Sequence, residues 1–169
     1  MTTYPTTRMR RLRKLPGIRR LVRETYLSTR DLIYPVFVCP GTNVEKPVGS
    51  MPGVAQWSVD RLVRHASDIA KEDIQAVILF GIPKEKDAVG SSSWREDGII
   101  QQALTALKKE VPELVAIVDL CFCEYTDHGH CGVLKDKDLD NDATLENLAR
   151  QAVSLAHAGA DVIAPCLLY

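Results

Sequence analysis

The sequence predicts an α/β fold in which repeated strand–helix–strand units build a parallel sheet. Four short apolar runs are rich in β-branched residues, three longer stretches carry apolar residues three and four positions apart, and the two kinds of segment alternate. Strands joined in this way run parallel and are connected by right-handed crossovers. The 169 residues, 46% hydrophobic and 25% charged, can form one globular unit with a sizeable core.

The four predicted strands are nearly continuous apolar runs, as expected for strands that are buried on both faces. They lie at residues 33–38, 76–80, 115–120 and 161–165. The three predicted helices extend from Val59 to Lys71, from Asp97 to Lys109 and from Leu145 to Ala158. Thr144 is the expected start signal of the last helix, with Asn147 where a full capping box has Glu.

This pattern fits either a doubly wound sheet or a barrel. Four strands and three helices are about half of an eight-stranded (β/α)8 barrel, whose usual length of about 250 residues this chain does not reach. If the fold is a barrel, we therefore expect its remaining strands and helices to follow Tyr169 in a longer protein.

Charge is distributed unevenly along the chain. Residues 1–30 hold nine Lys and Arg residues against Glu24 alone, so this basic arm carries about +8 and the remainder about −9. We expect the arm to lie on an acidic surface of another copy of the chain, because no aromatic residues in it are spaced for base stacking. Nucleic-acid binding and a solvated terminus are the alternatives.

Two classes of protein are disfavoured by the sequence. No apolar run approaches the roughly 18 residues that a membrane span needs. The basic amino terminus also lacks the uninterrupted apolar stretch of a secretory signal. The five cysteines are an odd count, which suits a metal site better than a disulfide framework. Because disulfides are typical of secreted proteins, we expect a reducing, cytoplasmic setting.

The segment after the third predicted strand is the candidate site, because chemistry in α/β folds gathers at the carboxyl ends of the strands. Cys121, Cys123 and Cys131 lie there within eleven residues. On an extended chain Cys121 and Cys123 point the same way, while Gly129 and Gly132 let the loop return with Cys131. Three thiolates can hold Zn²⁺ and leave its fourth position open to water or substrate, as catalytic zinc requires.

Other interpretations of these residues stay open at this point. A fourth ligand from His128 or His130 would give a closed structural site, and Cys166, on the same face of the fourth strand, could also close it. Buried core thiols are a further alternative, although cysteines seldom cluster in a polar loop.

The loop and its surroundings resemble a known family. The string DLCFCEYTDHGHCGVL and the segment DNDATLENLARQAVSLAHAGADVIAP are similar to the metal loop and following helix of porphobilinogen synthase, also called 5-aminolevulinate dehydratase. RRLRK, DLIYPVFV, MPGV and GSSSWREDGIIQQA resemble the same family in the same order. The resemblance covers residues 8–165.

The resemblance implies an architecture, an activity and a set of residues. The fold is the amino-terminal half of a (β/α)8 TIM barrel at residues 31–169, with residues 1–30 as an arm that embraces a neighbouring subunit, commonly within an octamer. The activity is a lyase reaction that condenses two 5-aminolevulinate molecules to porphobilinogen, with loss of two waters, on the route to haem. Cys121, Cys123 and Cys131 match the family's zinc ligands, and Asp119 matches an acidic group at the edge of the active site.

The resemblance also implies two lysines that form Schiff bases with the two substrates, because an iminium is a better electron sink than a ketone. In the family these lysines lie on later strands, and Lys135 and Lys137 do not match them. We therefore expect this chain to be inactive alone, as a truncated catalytic domain. A family member would continue after Pro165 with a serine, where this chain has Cys166.

Some roles have competing explanations. Asp119 could hold a substrate ammonium or transfer a proton, or it could cap the end of a strand. His130 could hydrogen-bond a metal ligand, or be a surface imidazole. For the whole chain, the alternatives to the lyase are a non-catalytic zinc-binding or oligomerisation module and a metal-responsive nucleic-acid binder.

Overall fold

A computed structural model describes residues 10–166. The α-helices are α1 (Pro16–Leu21), α2 (Val59–Lys71), α3 (Ile99–Glu110) and α4 (Asn141–His157). The strands are β1 (Ile33–Val38), β2 (Glu45–Pro47), β3 (Ala55–Trp57), β4 (Ala76–Gly81), β5 (Val115–Leu120), β6 (Leu134–Lys135), β7 (Asp138–Leu139) and β8 (Val162–Pro165).

Six of these strands form one sheet in the order β2-β3-β1-β4-β5-β8. The four predicted strands are its parallel neighbours β1, β4, β5 and β8, and β3 adds a further parallel pairing to β1. Only β2 runs antiparallel, against β3. The predicted α/β class is therefore confirmed, although the last strand begins at Val162, one residue later than predicted.

The covering of the sheet distinguishes the two architectures that the sequence left open. Alternate residues of the parallel strands, such as Val36, Leu79 and Val118, are buried in one core together with residues of α2, α3 and α4. Residues of the other parity face away from these helices and are mostly only half-buried, including Phe37 and Phe80, whose ring centroids lie 5.4 Å apart. A doubly wound sheet carries helices on both faces, whereas a barrel carries them outside only. The described residues thus form half of a barrel.

The fourth helix begins earlier than predicted. The N-cap is Asp140, whose carboxylate accepts a hydrogen bond from the main-chain nitrogen of Ala143 at 3.1 Å, so the prediction of Thr144 was wrong. The Thr144 hydroxyl instead donates to the carbonyl of Asp140 at 2.6 Å, within the first turn of α4. Because the segment 141–143 has no large apolar side chain, the spacing of apolar residues could not reveal this turn.

The other predicted helices differ less. α2 has the predicted bounds. α3 begins at Ile99, two residues after the predicted Asp97, because Gly98 has the extended backbone of an N-cap, and it ends at Glu110. The bounds of helices commonly vary by this much.

A hairpin lies between the cysteine loop and α4 and was not predicted. β6 and β7 pair antiparallel, with Lys135 opposite Asp138. The two residues between them, Asp136 and Lys137, have φ of 51° and 73°, as in the two-residue turns that connect the strands of a tight hairpin. Lys135 and Lys137 are exposed on this hairpin.

The described part of the basic arm lies at the surface. It contains α1, with three-residue helical turns before and after it, and exposes the side chains of Leu21, Tyr26 and Leu27. Arg30 anchors its end through an ion pair with Asp73, at 2.7 Å. Residues 1–9 of the predicted arm lie outside the described residues. Within residues 10–166, no helix combines the length and apolar character that crossing a bilayer demands.

Candidate metal centre

The candidate site lies at the carboxyl end of β5. Residues of this strand alternate between the two faces of the sheet, so Leu120 is buried against the helices while Asp119, half-buried, lies on the opposite, open face. Asp119 is the register partner of Ala164 on β8. Cys121 follows the last residue of the strand directly and is buried.

A turn begins at Phe122, directly after Cys121, so Cys123 lies in a turn and not on extended chain. The main-chain nitrogens of Tyr125 and Thr126 both donate to the carbonyl of Phe122 at 2.8 Å. The Phe122 side chain is fully buried and holds this turn against the core. The expected extended conformation was therefore wrong, yet the two sulfur atoms lie only 3.4 Å apart.

The loop then returns to bring a third thiol to the other two. Gly129 has φ of 74°, a backbone conformation that side chains disfavour, and the hydroxyl of Thr126 donates to the carbonyl of His130 at 2.8 Å. A Cβ on Gly132 would lie 2.5 Å from the Thr144 hydroxyl, so the loop needs glycine where it approaches α4. The ligand atoms of Cys121, Cys123 and Cys131 all lie within 4.8 Å of one another.

This separation suits a metal ion. Sulfur atoms at about 2.3 Å from a tetrahedral Zn²⁺ stand about 3.8 Å apart, so three thiolates in the observed cluster need only small movements to share one ion. Three sulfur donors also select zinc over magnesium or calcium, which prefer oxygen ligands. The residues present therefore fit a zinc ion.

Two carboxylates lie beside the thiols. Asp119, Cys121 and Glu124 form a second group of ligand atoms within 4.8 Å of one another. The Cys123 thiol donates to the carboxylate of Glu124 at 3.0 Å. The sequence analysis singled out Asp119 but missed Glu124. The position of Glu124 directly after Cys123 could have indicated that it lies at the site.

Burial in the site disfavours negative charge on Asp119 and on the thiols. Burial, with a smaller contribution from nearby Glu124, raises the pKa of Asp119 to about 6. Burial also raises the pKa of the Cys121 and Cys123 thiols and, together with surrounding acidic groups, that of Tyr125. A divalent cation reverses this balance, because its charge stabilises thiolates.

A neighbouring loop, residues 87–91, supports the cysteine loop. The main-chain carbonyl of Asp87 accepts a hydrogen bond from the main-chain nitrogen of Asp127 at 3.1 Å. The Asp87 carboxylate accepts bonds from the main-chain nitrogens of Val89 at 2.9 Å and Ser91 at 3.0 Å. Gly90 of this loop has φ of 67° and packs against Phe122. Sequence reasoning gave Asp87 no role, because nothing in the pattern links it to a segment forty residues away.

The proposed fourth ligands differ in position. Nδ1 of His128 accepts a hydrogen bond from the main-chain nitrogen of His130 at 3.1 Å. Nε2 of His128 donates to the main-chain carbonyl of Ala88, also at 3.1 Å. Neither histidine belongs to the group of mutually close ligand atoms. Cys166 does not belong to this group either. It directly follows β8 beside Cys121, since its main-chain nitrogen donates to the carbonyl of Leu120 at 3.2 Å.

The fold and the site together define a class of protein: an α/β half-barrel with a thiol cluster at the carboxyl edge of its sheet. The family model described as Delta-aminolevulinic acid dehydratase matches residues 6–168. The chain therefore belongs to the delta-aminolevulinic acid dehydratase family, whose members are also called porphobilinogen synthases, and the predicted resemblance is confirmed.

Individual relatives agree with this assignment. Delta-aminolevulinic acid dehydratases from Synechocystis and from Escherichia coli K12 are 54% and 49% identical to the chain, over 96% and 94% of it and over 51% and 49% of their own lengths. The Toxoplasma gondii ME49 enzyme, solved in complex with the reaction product porphobilinogen, matches with a TM-score of 0.90 and 33% identity, over 94% of this chain and 46% of that one. The chain thus spans about half the length of these relatives, as expected for the amino-terminal half of their barrel.

Proposed function

We propose that this chain forms the metal-binding half of a porphobilinogen synthase, a lyase that condenses two 5-aminolevulinate molecules to porphobilinogen in haem synthesis. The observation that carries the proposal is the group of three thiols at the carboxyl end of β5, in a half-barrel of this family. Their position corresponds to the edge at which barrel enzymes place their chemistry.

In this proposal Cys121, Cys123 and Cys131 hold Zn²⁺ as thiolates. Zinc in such a site supplies Lewis acidity towards a carbonyl or a bound water. The loop's own contribution is to fix the three sulfurs before the metal arrives, through the turn at 122–126 and the bonds from the segment 87–91. Free thiols of this kind persist in a reducing compartment, which supports a cytoplasmic setting.

Asp119 is the catalytic residue that we propose in this chain. Its carboxylate lies on the open face of the sheet, within 4.8 Å of the Cys121 sulfur. From there it can hold a substrate ammonium by a charge-assisted hydrogen bond, or move a proton to or from the substrate nitrogen. Its half-buried position favours this role over that of an exposed strand cap.

We further propose that residues 1–30 mediate contacts between copies of the protein, within an oligomer such as the family's octamer. The described part of this arm exposes several large apolar side chains that the rest of the chain does not cover. The remainder of the chain carries the opposite charge, about −9 against about +8 for the arm. The same observations favour a second candidate, a zinc-binding and oligomerisation module without activity of its own.

The isolated chain is proposed to be inactive, since the lysines that form Schiff bases in the family lie outside the matched half. A chimera tests the proposed function directly. Residues 1–165 replace the matching half of the Synechocystis relative, and porphobilinogen formed from 5-aminolevulinate is measured. We expect activity from the chimera and none from the 169-residue chain.

Two substitutions in the chimera test the assigned roles. Cys123→Ser should reduce turnover by about 100-fold or more, because a metal contributes several kcal/mol. Asp119→Asn should reduce it by about 10²-fold to 10⁴-fold, the range for a lost proton-transfer group. The matched control is Asp68→Asn on the exposed surface of α2, which should leave turnover unchanged. A folded chimera without activity, beside an active parent relative, would favour the non-catalytic module.

A further inference from the structure

The last described residue, Cys166, is fixed next to the metal loop by strand pairing. β8 lies parallel to β5, with Asp119 opposite Ala164 and Leu120 opposite Pro165. The pairing continues for one more step, since the main-chain nitrogen of Cys166 donates to the carbonyl of Leu120 at 3.2 Å. Cys166 is therefore the lateral neighbour of Cys121.

The side chains of these two cysteines lie on the same face of the sheet. In a parallel pair, residues in register point to the same side, and side chains two apart along a strand share a face. Cys166 shares this face with Ala164, and Cys121 shares it with Asp119. The Cys166 sulfur does not belong to the group of ligand atoms within 4.8 Å of one another. Its main-chain nitrogen is bonded to Leu120 and its side chain is exposed, so the side chain has to turn towards Cys121 to join the cluster.

The other available ligands are less well placed. Both ring nitrogens of His128 are engaged in hydrogen bonds with main-chain atoms. His130 and Cys166 are both exposed, and neither has an atom in the cluster of ligand atoms, but of the two only Cys166 follows a strand that pairs with β5. Glu124 accepts the bond from Cys123. A thiolate is also the ligand that matches the other three in softness.

We propose that Cys166 supplies a fourth sulfur to the metal held by Cys121, Cys123 and Cys131, so that this chain binds Zn²⁺ in an all-sulfur shell. This inference rests on the proposed metal centre. A shell of four protein ligands leaves no position for water or substrate, so in the 169-residue chain the closed site stabilises the fold. Access to the metal then requires Cys166 to leave it. The Lewis-acid role proposed above needs the open position, which the chimera of residues 1–165 keeps because it lacks Cys166.

X-ray absorption at the zinc edge tests the proposal on the full 169-residue chain, loaded with one equivalent of Zn²⁺ under anaerobic conditions. We expect four sulfur neighbours at about 2.3 Å. In Cys166→Ala the shell should become three sulfurs and one oxygen, and the affinity for zinc, measured by chelator competition, should fall by at least about tenfold. Circular dichroism shows whether the variant is folded, and its exposed side chain makes loss of folding an unexpected result.

Each alternative result has a defined meaning. Three sulfurs and one oxygen in the unaltered chain overturn closure by Cys166 but leave the three-cysteine centre intact. Three sulfurs and one nitrogen overturn it in favour of a histidine. Four sulfurs that persist in Cys166→Ala also overturn it, and Cys39→Ala then tests the remaining cysteine. A folded chain that retains no zinc overturns the metal centre of the proposed function itself.

Discussion

The side-chain nitrogen of Gln151, on α4, donates a hydrogen bond to the main-chain carbonyl of Cys121 at 3.2 Å. Gln151 is fully buried, and its Oε1 has no partner among the described residues. The bond joins the helix behind the sheet to the residue at which β5 passes into the cysteine loop. It therefore fixes the backbone that carries the first sulfur of the cluster.

Replacing Gln151 with Glu should destabilise the chain by about 2–3 kcal/mol, because the donor is lost and an acid is placed in a dry environment. The change keeps the size of the side chain, so loss of packing contributes little. Urea unfolding at neutral pH measures the difference. Zinc affinity should fall as well, since the backbone of Cys121 loses its anchor.

Gln102→Glu is the matched control for this substitution. Gln102 also donates to a main-chain carbonyl, that of Asp97 at 2.7 Å, but its side chain is exposed on α3. Water can replace that bond, so the free energy of unfolding should change by less than about 0.5 kcal/mol. Equal losses in the two variants would contradict the role of burial at Gln151.

Gly90→Ala should destabilise the chain and disorder the cysteine loop. Gly90 has φ of 67°, and a Cβ there would lie 2.9 Å from Cδ1 of Phe122. The backbone strain costs about 1 kcal/mol, and displacement of the buried ring adds a further 1–3 kcal/mol. Thermal unfolding and zinc stoichiometry measure the two effects.

The control is Gly53→Ala, which separates strain from packing. Gly53 has a similar φ of 83°, but no atom lies within 4 Å of the position of its Cβ. Gly53→Ala should therefore lower the free energy of unfolding by only about 1 kcal/mol, through backbone strain, and should not change the amount of zinc bound. If Gly90→Ala were no more harmful than Gly53→Ala, Phe122 would not depend on glycine at this contact.

Loss of the Thr144 hydroxyl should reduce the free energy of unfolding more than loss of its methyl group. It donates to the carbonyl of Asp140 at 2.6 Å and accepts from the main-chain nitrogen of Val133 at 3.0 Å, in a buried position. Thr144→Val leaves the main-chain nitrogen of Val133 without its partner, whereas the Asp140 carbonyl keeps its bond from the main-chain nitrogen of residue 144 at 3.0 Å. The substitution should cost about 1–3 kcal/mol. Thr144→Ser keeps the hydroxyl and should cost less, so chemical unfolding of the pair isolates the two hydrogen bonds.

Four of the parallel strands, β1, β4, β5 and β8, were predictable because each is a largely apolar run. The three-residue β3, which also pairs parallel to β1, was not predicted. The pattern of Val36 and Val38, or of Val77 and Leu79, is visible in the sequence alone. β2 was not predictable, since its residues Glu45–Pro47 are all exposed and it pairs only at the edge of the sheet. Which face the helices cover also depends on the tertiary packing, and for that reason the choice between a doubly wound sheet and a barrel stayed open.

The cluster of three thiols in the candidate site was predictable from the sequence, but the residues that support it were not. Cys121, Cys123 and Cys131 lie within eleven residues, and this clustering is visible in the sequence alone. Gln151 does not stand out, because a glutamine on a helix is usually solvated, and only the packing of α4 buries it beneath the cysteine loop. Contacts between segments distant in sequence carry no local signal.

His65 should make the stability of the chain depend on pH. Its ring stacks on Trp57 with centroids 4.3 Å apart and meets Tyr34 edge-on at 5.5 Å. Burial lowers the pKa of His65 from its ordinary value of 6.5, although nearby Asp68 and Glu45 oppose the shift. Below about pH 6.5 the unfolded chain therefore binds the proton more readily than the folded one, and stability falls until the pH passes the folded pKa.

His65→Phe tests this sign, because phenylalanine keeps the aromatic contacts and cannot titrate. The difference in free energy of unfolding between the two proteins should be constant above about pH 7 and should shift in favour of the variant as the pH falls below about 6.5. Urea unfolding over this range measures the difference, and the NMR titration of the His65 ring gives the folded midpoint independently. Parallel stability curves, or a midpoint above 6.5, would show that contact with Asp68 and Glu45 outweighs the burial of the ring.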